Sequence, residues 1–180
     1  MGTFTGKVRR TTKKPTQCLG CPLYDARGPV LGDGPPGARI VLVGEAPGPD
    51  ECNQGKPFVG RAGWTLDVAM KGAGMVRTEV YVTNTVKCMP YEILPPWVKR
   101  KPDKNKFRRP TLDEMQFCAS RFLDKELTEI KPNVTVALGD VAATYLTRGT
   151  LRGGITAWRG KVVDVDQDEH VIPDDDTIPF

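Results

Sequence analysis

Arg39-Ile40-Val41-Leu42-Val43-Gly44 is an apolar, β-branched run that stops on a glycine, followed by Glu45-Ala46-Pro47-Gly48, a turn-forming stretch. Four consecutive apolar residues with no polar alternation describe a strand buried on both faces, as in the parallel sheet of an α/β protein. Residues 80–86 and 134–138 repeat the pattern, and residues 161–165 supply a fourth, weaker candidate strand. Helical spacing predicts helices over 63–73 and from 140 to 146. Pro110-Thr111-Leu112-Asp113-Glu114 opens another with the signature of a capping box, extending to about residue 130. Strands alternating with helices predict a three-layer α/β/α fold around a mostly parallel four-stranded sheet. Loops that leave the carboxyl ends of such strands are where ligands bind. The two most unusual loops, 44–63 and 84–110, both leave strands in that way.

The chain has 180 residues, enough for one domain with a substantial core. No apolar run approaches the roughly 20 residues needed to span a bilayer, and the basic N-terminus is not followed by an apolar stretch of the kind a secretory leader carries. A cytoplasmic setting is the expectation. The net charge of +4 conceals an asymmetry: residues 162–180 hold seven acids and no Lys or Arg, so the preceding 161 residues carry 26 basic against 15 acidic side chains. A body this basic suits a polyanionic partner such as nucleic acid, although a solubilising surface charge would look the same. The five cysteines are an odd number, and in a cytosolic protein they argue against a disulfide framework. The segments divide into a basic N-terminal stretch (1–17), a main domain (18–165) with a basic insertion at about 91–110, and an acidic tail (166–180).

Three constellations could carry chemistry. Gly44-Glu45-Ala46-Pro47-Gly48 is followed by Gly55-Lys56-Pro57-Phe58-Val59-Gly60-Arg61-Ala62-Gly63. Glycines at such positions allow a ligand to approach the backbone, and Phe58 is either a core residue or a platform on which a base stacks. Val82-Thr83-Asn84-Thr85-Val86-Lys87-Cys88 sets a polar Asn84 at the end of an apolar strand. Its amide can both donate and accept, which suits reading a base edge or making local turn bonds. Cys18-Leu19-Gly20-Cys21 forms a CxxC turn.

Taken in order, Cys18–Cys21, the 44–48 and 55–63 stretches, Thr83-Asn84-Thr85-Val86-Lys87-Cys88 and residues 131–139 resemble the family 4 (iron–sulfur) uracil-DNA glycosylases from about residue 18 to 173. The resemblance implies a uracil-DNA glycosylase-like fold and base-excision activity on uracil in DNA. It implies a [4Fe–4S] cluster on Cys18, Cys21, Cys88 and Cys118, although four thiolates could also take zinc. It matches Phe58 to the aromatic residue that stacks on an extruded uracil, Asn84 to the residue that reads its polar edge, and Glu45 to the acid that orients water. Gly44 and Ala46 would line the same pocket, and Glu51 is a second candidate acid. Cys52 receives no role.

The sequence departs from the family at two places. Residues 99–109 carry Lys99, Arg100, Lys101, Lys104, Lys106, Arg108 and Arg109 against a single acid, Asp103. This reads as a phosphate-gripping loop, with Trp97 and Phe107 able to stack on bases, or as a solvated charged loop. Relatives continue past the last strand into a His-Pro segment that serves the leaving uracil. Here Val171-Ile172-Pro173 leads instead into Asp174-Asp175-Asp176-Thr177-Ile178-Pro179-Phe180. This run resembles the acidic tip of bacterial single-stranded-DNA-binding proteins, with Ile178, Pro179 and Phe180 as a partner-binding hook. The alternative expectation is therefore a catalytically weak DNA-binding accessory of a replication or repair complex, or one part of a split enzyme.

Overall fold

The structure is a computed structural model that describes residues 14–94, 97–104, 106–149 and 154–163. The acidic tail, including Ile178, Pro179 and Phe180, lies outside the described residues, as do most of the basic N-terminal stretch and residues 95, 96 and 105 of the insertion.

The first apolar run forms β1 (Ile40–Gly44) at the centre of a parallel sheet. On one side it pairs with β2 (Tyr81–Asn84) and on the other with β3 (Val134–Ala137), in the order β2-β1-β3. The register aligns Gly44 with Asn84, so the two loops singled out by sequence leave the sheet side by side. The sheet thus has three strands among the described residues rather than four. Residues 161–163 are not strand, and 164–165 lie outside the described set. The free edge of β2 is covered by the segment before β1: Asp33 and Val82 exchange backbone bonds of 2.9 Å each way, and Met89 N–H donates to Arg27 O at 2.9 Å.

Side chains of β1 alternate between two cores. Val41 and Val43 pack with Ala119, Leu123, Ile130 and Ala142, while Leu42 packs with Met70, Val80 and Val82 on the opposite face. The second face is covered by α2 (Arg61–Gly72), and the first by α3 (Leu112–Ala119), α4 (Leu123–Ile130) and α5 (Asp140–Leu146). This gives the expected three layers. A short helix α1 (Pro49–Gln54) lies inside the loop after β1, and α6 (Gly154–Trp158) follows α5.

One predicted helix, expected to run from Thr111 to about residue 130, is two. No Gly or Pro marks the break, where the N–H groups of Arg121 and Phe122 both turn back to Cys118 O, at 3.2 and 3.1 Å. The break changes which core each half serves: Met115 and Cys118 of α3 join a cluster with Leu23, Val86 and Val141, whereas Leu123 and Ile130 of α4 face β1. The start of α3 is as the sequence implies. Glu114 N–H donates to Thr111 Oγ1 at 3.3 Å and Thr111 N–H donates to Glu114 Oε2 at 2.8 Å, while Arg108 grips both oxygens of the same carboxylate. Helix α4 ends at Lys131, in the left-handed region (φ 52°), immediately before Pro132.

Replacing Thr111 by Ala should cost about 1 kcal/mol, the usual worth of a helix N-cap. Replacing Glu114 by Ala should cost more, because it also strands the Arg108 guanidinium at a partly buried position. Urea unfolding of the two variants beside the parent checks the order, and equal losses would show that the Arg108 grip adds nothing.

Candidate active site

The carboxyl ends of β1 and β2 are bound together beyond their last strand pair. Thr85 contributes both its N–H (2.8 Å) and its hydroxyl (2.9 Å) to Gly44 O, and Val86 N–H reaches Glu45 O at 3.1 Å. A side chain at position 44 would have no room. A Cβ there would run into the Phe58 ring and stand 2.6 Å from Asn84 Oδ1. Gly44, Phe58 and Asn84, which sequence alone proposed as pocket-forming, therefore meet at one point. Asn84 is 3% exposed, and among the described residues its side-chain amide makes no hydrogen bond. A buried amide with free donor and acceptor sites is poised for a ligand that satisfies them.

Phe58 owes its position to Glu51. The Glu51 carboxylate is buried and accepts three backbone N–H groups, from Gly48 (3.0 Å), Val59 (3.1 Å) and Gly60 (2.8 Å). It thereby closes the 48–60 loop on itself around α1. Phe58 sits in the left-handed region (φ 55°), a conformation an aromatic residue takes only when its surroundings enforce it. Gly63, in the first turn of α2, is pressed against the Phe58 backbone so closely that any Cβ would overlap its carbonyl. Glu51 is thus a brace for the loop that carries Phe58. Three of the roughly four lone-pair sites of this second candidate acid are taken by backbone donors.

Glu45 is the opposite case. It is half-buried, and its Oε1 is a buried oxygen with no hydrogen-bond partner. Burial pushes its carboxyl up from the ordinary glutamate range; Arg109 opposes that shift and Asp140 adds to it. Arg109 and Asp140 are themselves bonded at 2.8 Å, so the two opposing charges that act on Glu45 belong to one ion pair. A cleft of about 120 Å³ between Arg109, Leu112 and Val141 opens beside the pair. Ala46 packs against the Val86–Met115–Val141 core rather than standing free.

The four cysteines of the proposed ligand set converge from three parts of the chain. Cys21 packs against the apolar cluster that contains Cys88 and Cys118, and Cys18 is buried close enough to Cys88 and Cys21 to feel their charge. All four are free thiols, with burial first and neighbouring thiols or carboxylates second pushing each of them up, Cys118 to about 12. Donors point at their sulfurs: Leu23 N–H to Cys21 (3.4 Å), Lys87 N–H to Cys118 (3.2 Å) and the Lys14 ammonium to Cys88 (2.9 Å). Such donors stabilise thiolate ligands. Among the described residues no three His, Cys, Asp or Glu side chains converge tightly enough to grip a single metal ion. Cys52, half-buried and pushed up to about 11 by its burial, makes no contact that assigns it a role.

Two features escaped the sequence. Lys87 is wholly buried in the strand extension, with its ammonium 2.6 Å from Thr83 Oγ1, 2.7 Å from Asn84 O and 2.7 Å from Glu126 Oε2. Burial pulls Lys87 down from its usual range, and the Glu126 carboxylate works against that pull to hold the charge. The only signal was a lysine flanked by Val86 and Cys88 where the strand continues. The second feature is that the basic loop is braced internally. Arg100 and Lys106 both bind Glu92, holding its carboxyl well below the usual range; Arg108 binds Glu114, Arg109 binds Asp140, and Lys104 reaches Asp25 O at 2.6 Å and lies over the Tyr91 ring. Among the described residues Lys99 and Lys101 are exposed without an ion-pair partner. Trp97 is 79% exposed, and Phe107 is exposed as well.

Comparison with known proteins bears on this arrangement directly. The family model of the uracil DNA glycosylase superfamily matches residues 31–174. The chain is 38% identical over 158 residues to the type-4 uracil-DNA glycosylase of Thermotoga maritima, covering 87% of this chain and 74% of that one. Against the type-4 enzymes of Archaeoglobus fulgidus and Sulfurisphaera tokodaii it is 39% and 38% identical, over 72% and 80% of this chain and 58% and 60% of theirs. The chain thus spans less than two thirds of the length of the latter two relatives. The match takes in both strand-end loops and the residues that meet between them, and the chain belongs to the uracil-DNA glycosylase superfamily.

Proposed function

We propose that this chain is a uracil-DNA glycosylase of base-excision repair, acting on a uracil turned out of the DNA stack into the pocket between Gly44, Phe58 and Asn84. The observation that carries this reading is the buried, unpartnered oxygen of Glu45, the residue that follows Gly44 at the pocket where the Asn84 side chain meets the Phe58 ring. Buried polar groups are nearly always satisfied, and an exception at the carboxyl end of the central strand marks a place kept for substrate. A base in a duplex is out of reach, so extrusion precedes chemistry.

In the pocket the uracil ring lies on the Phe58 face and its polar edge meets the Asn84 amide, which can donate and accept at once. The bond from C1′ to the base nitrogen breaks, and its electron pair leaves with uracil. Positive charge builds on the sugar, where the Glu45 carboxylate stabilises it. A water oxygen then bonds to C1′ and gives its proton to Glu45. Cys18, Cys21, Cys88 and Cys118 fit a group held by four thiolates and larger than a single ion, consistent with the iron–sulfur class the sequence resembles. When bound, a [4Fe–4S] cluster would tie the 18–21 turn, the exit of β2 and α3 together. Lys99 and Lys101 are the first choice for phosphate contacts, with Trp97 beside them; the ion-paired Arg100, Lys106, Arg108 and Arg109, and Lys104 held on Asp25 O and the Tyr91 ring, would shape that surface.

The deciding experiment is single-turnover release of uracil from single- and double-stranded oligonucleotides by protein carrying its cluster. Abasic product is expected, with Glu45→Ala and Asn84→Ala each lowering the rate by ~10²–10³. Gly44→Ala should be comparably damaging, because the added methyl displaces Phe58 and Asn84 together. Absence of product from protein that binds DNA would overturn the proposal.

The pH dependence follows from the same carboxylate. Glu45 must be ionised to take a proton, and its pKa is raised, so the rate should fall on acidification at a higher pH than an ordinary glutamate near ~4.3 would give. Asp140→Asn should move that limb to lower pH and Arg109→Gln to higher pH, as their charges act on Glu45 in opposite senses. A limb that stays in place in both variants would assign the titration to another group.

A further inference from the structure

We propose that the buried Lys87–Glu126 ion pair is a positioning device for base recognition: it fixes the main chain at Asn84 so that the amide faces the pocket. The inference rests on the glycosylase reading above. Lys87 has three ammonium protons and three acceptors, at 2.6–2.7 Å, with none left for water. One acceptor is Asn84 O, at the last residue of β2, where the strand pairing stops. A second is the side chain of Thr83, the residue before it, which also donates to Glu126 Oε2 at 2.8 Å. The third is Glu126 on α4, whose other oxygen accepts Gly32 N–H at 3.2 Å from the segment covering the β2 edge. Thr83 and Asn84 are therefore held from below by one charged knot anchored to two other parts of the fold.

An apolar pair of the same volume would fill this space at equal or lower cost, since buried ion pairs seldom repay their desolvation. Apolar side chains, however, cannot direct a donor at Asn84 O. What the charged pair adds is the orientation of the one residue that reads the base. The backbone N–H of Lys87 itself donates to Cys118 Sγ at 3.2 Å, and replacing the Lys87 side chain by Met leaves that bond in place.

The test is Lys87→Met combined with Glu126→Gln, which leaves no unpaired charge: the amide oxygen still accepts Gly32 N–H, and the amide NH2 donates to the Thr83 hydroxyl. Three quantities are measured: the single-turnover excision rate, inhibition by free uracil, and affinity for abasic-site DNA. Excision should fall by ~10–100-fold, as expected for a small misplacement at a reacting centre. Inhibition by free uracil should weaken by about tenfold, whereas abasic-site affinity should change by less than about twofold. In an Asn84→Ala background the same pair of changes should have no further effect on either uracil readout, the mark of residues that act through Asn84. Parent-like rate and uracil inhibition would overturn the inference, and so would an equal loss in the Asn84→Ala background, which a general weakening of the fold would produce. Should the double variant not fold, Thr83→Val removes one arm of the knot and should weaken uracil inhibition by about fivefold, the worth of one hydrogen bond; no change would again overturn the inference. If the parent itself releases no uracil, the activity reading fails on its own. Direct titration with free uracil then decides the positioning claim, and equal affinities of parent and variant would reject it.

Discussion

Gly44 has no side chain, and because it has none the ring of Phe58 and the amide of Asn84 can close over the end of the central strand. That contact sets the terms for much else. It requires β1 and β2 to finish in register, which their parallel pairing and the double bond from Thr85 to Gly44 O secure. It requires Phe58 to hold a left-handed backbone conformation, which Glu51 and the missing side chain of Gly63 enforce from either side. It requires the end of β2 to be immobile, which the Lys87 knot provides. The meeting point at the strand ends is thus built from absences of side-chain volume at two glycines and from rigid supports behind the residues that remain.

The glutamates of the domain show how selectively this rigidity is applied. Glu51 holds three backbone donors, Glu114 holds Arg108 and the α3 cap, Glu126 holds Lys87 and Gly32, and Glu92 holds Arg100 and Lys106. Each is a structural tie, with its charge matched to donors fixed by the fold. Glu45 follows the central strand and has a buried oxygen with nothing bonded to it. Leaving such a group unsatisfied costs stability of the order of ~1–3 kcal/mol, and among the acids of the described residues Glu45 alone has a buried oxygen in that state. The chemical assignment of Glu45 therefore rests on contrast with its neighbours as much as on its place in a motif.

The layers and the parallel sheet were legible in the sequence because each is local: apolar runs that end on glycine or on a polar residue, alternating with helical spacing. The placing of Gly44, Phe58 and Asn84 in one pocket came with the family resemblance, because no local pattern brings three chain segments together. The break between α3 and α4 was not legible either. Ala119-Ser120-Arg121-Phe122 contains no breaker, and the chain turns there because two cores lie in different directions. The fourth strand was an overreading of a short β-branched stretch whose described part has no partner strand. Glu51 was misjudged as a second acid because its three donors come from residues 48, 59 and 60, and a sequence does not reveal which way a loop folds back. Lys87 was passed over for the same reason: its partner Glu126 lies 39 positions away, on a helix whose packing decides the pair.

The basic insertion shows where charge counting stops being informative. Seven cations against one acid within eleven residues reads as a polyanion grip, yet the acids that answer most of them, Glu92, Glu114 and Asp140, lie outside that window. The pairing does not remove positive charge from the surface as a whole, because the body of the chain remains basic. It divides the cations by task. Arginines with planar, two-pronged heads make the fixed ties to carboxylates, at Glu92, Glu114 and Asp140. The flexible lysines at 99 and 101 stay exposed, where a mobile point charge can follow a phosphate backbone without a fixed geometry. A loop that was charged but unbraced would lose ordering entropy each time it met DNA. One held by its own ion pairs meets the partner already shaped, and through Arg109 and Asp140 it also carries its charge up to the carboxylate of Glu45.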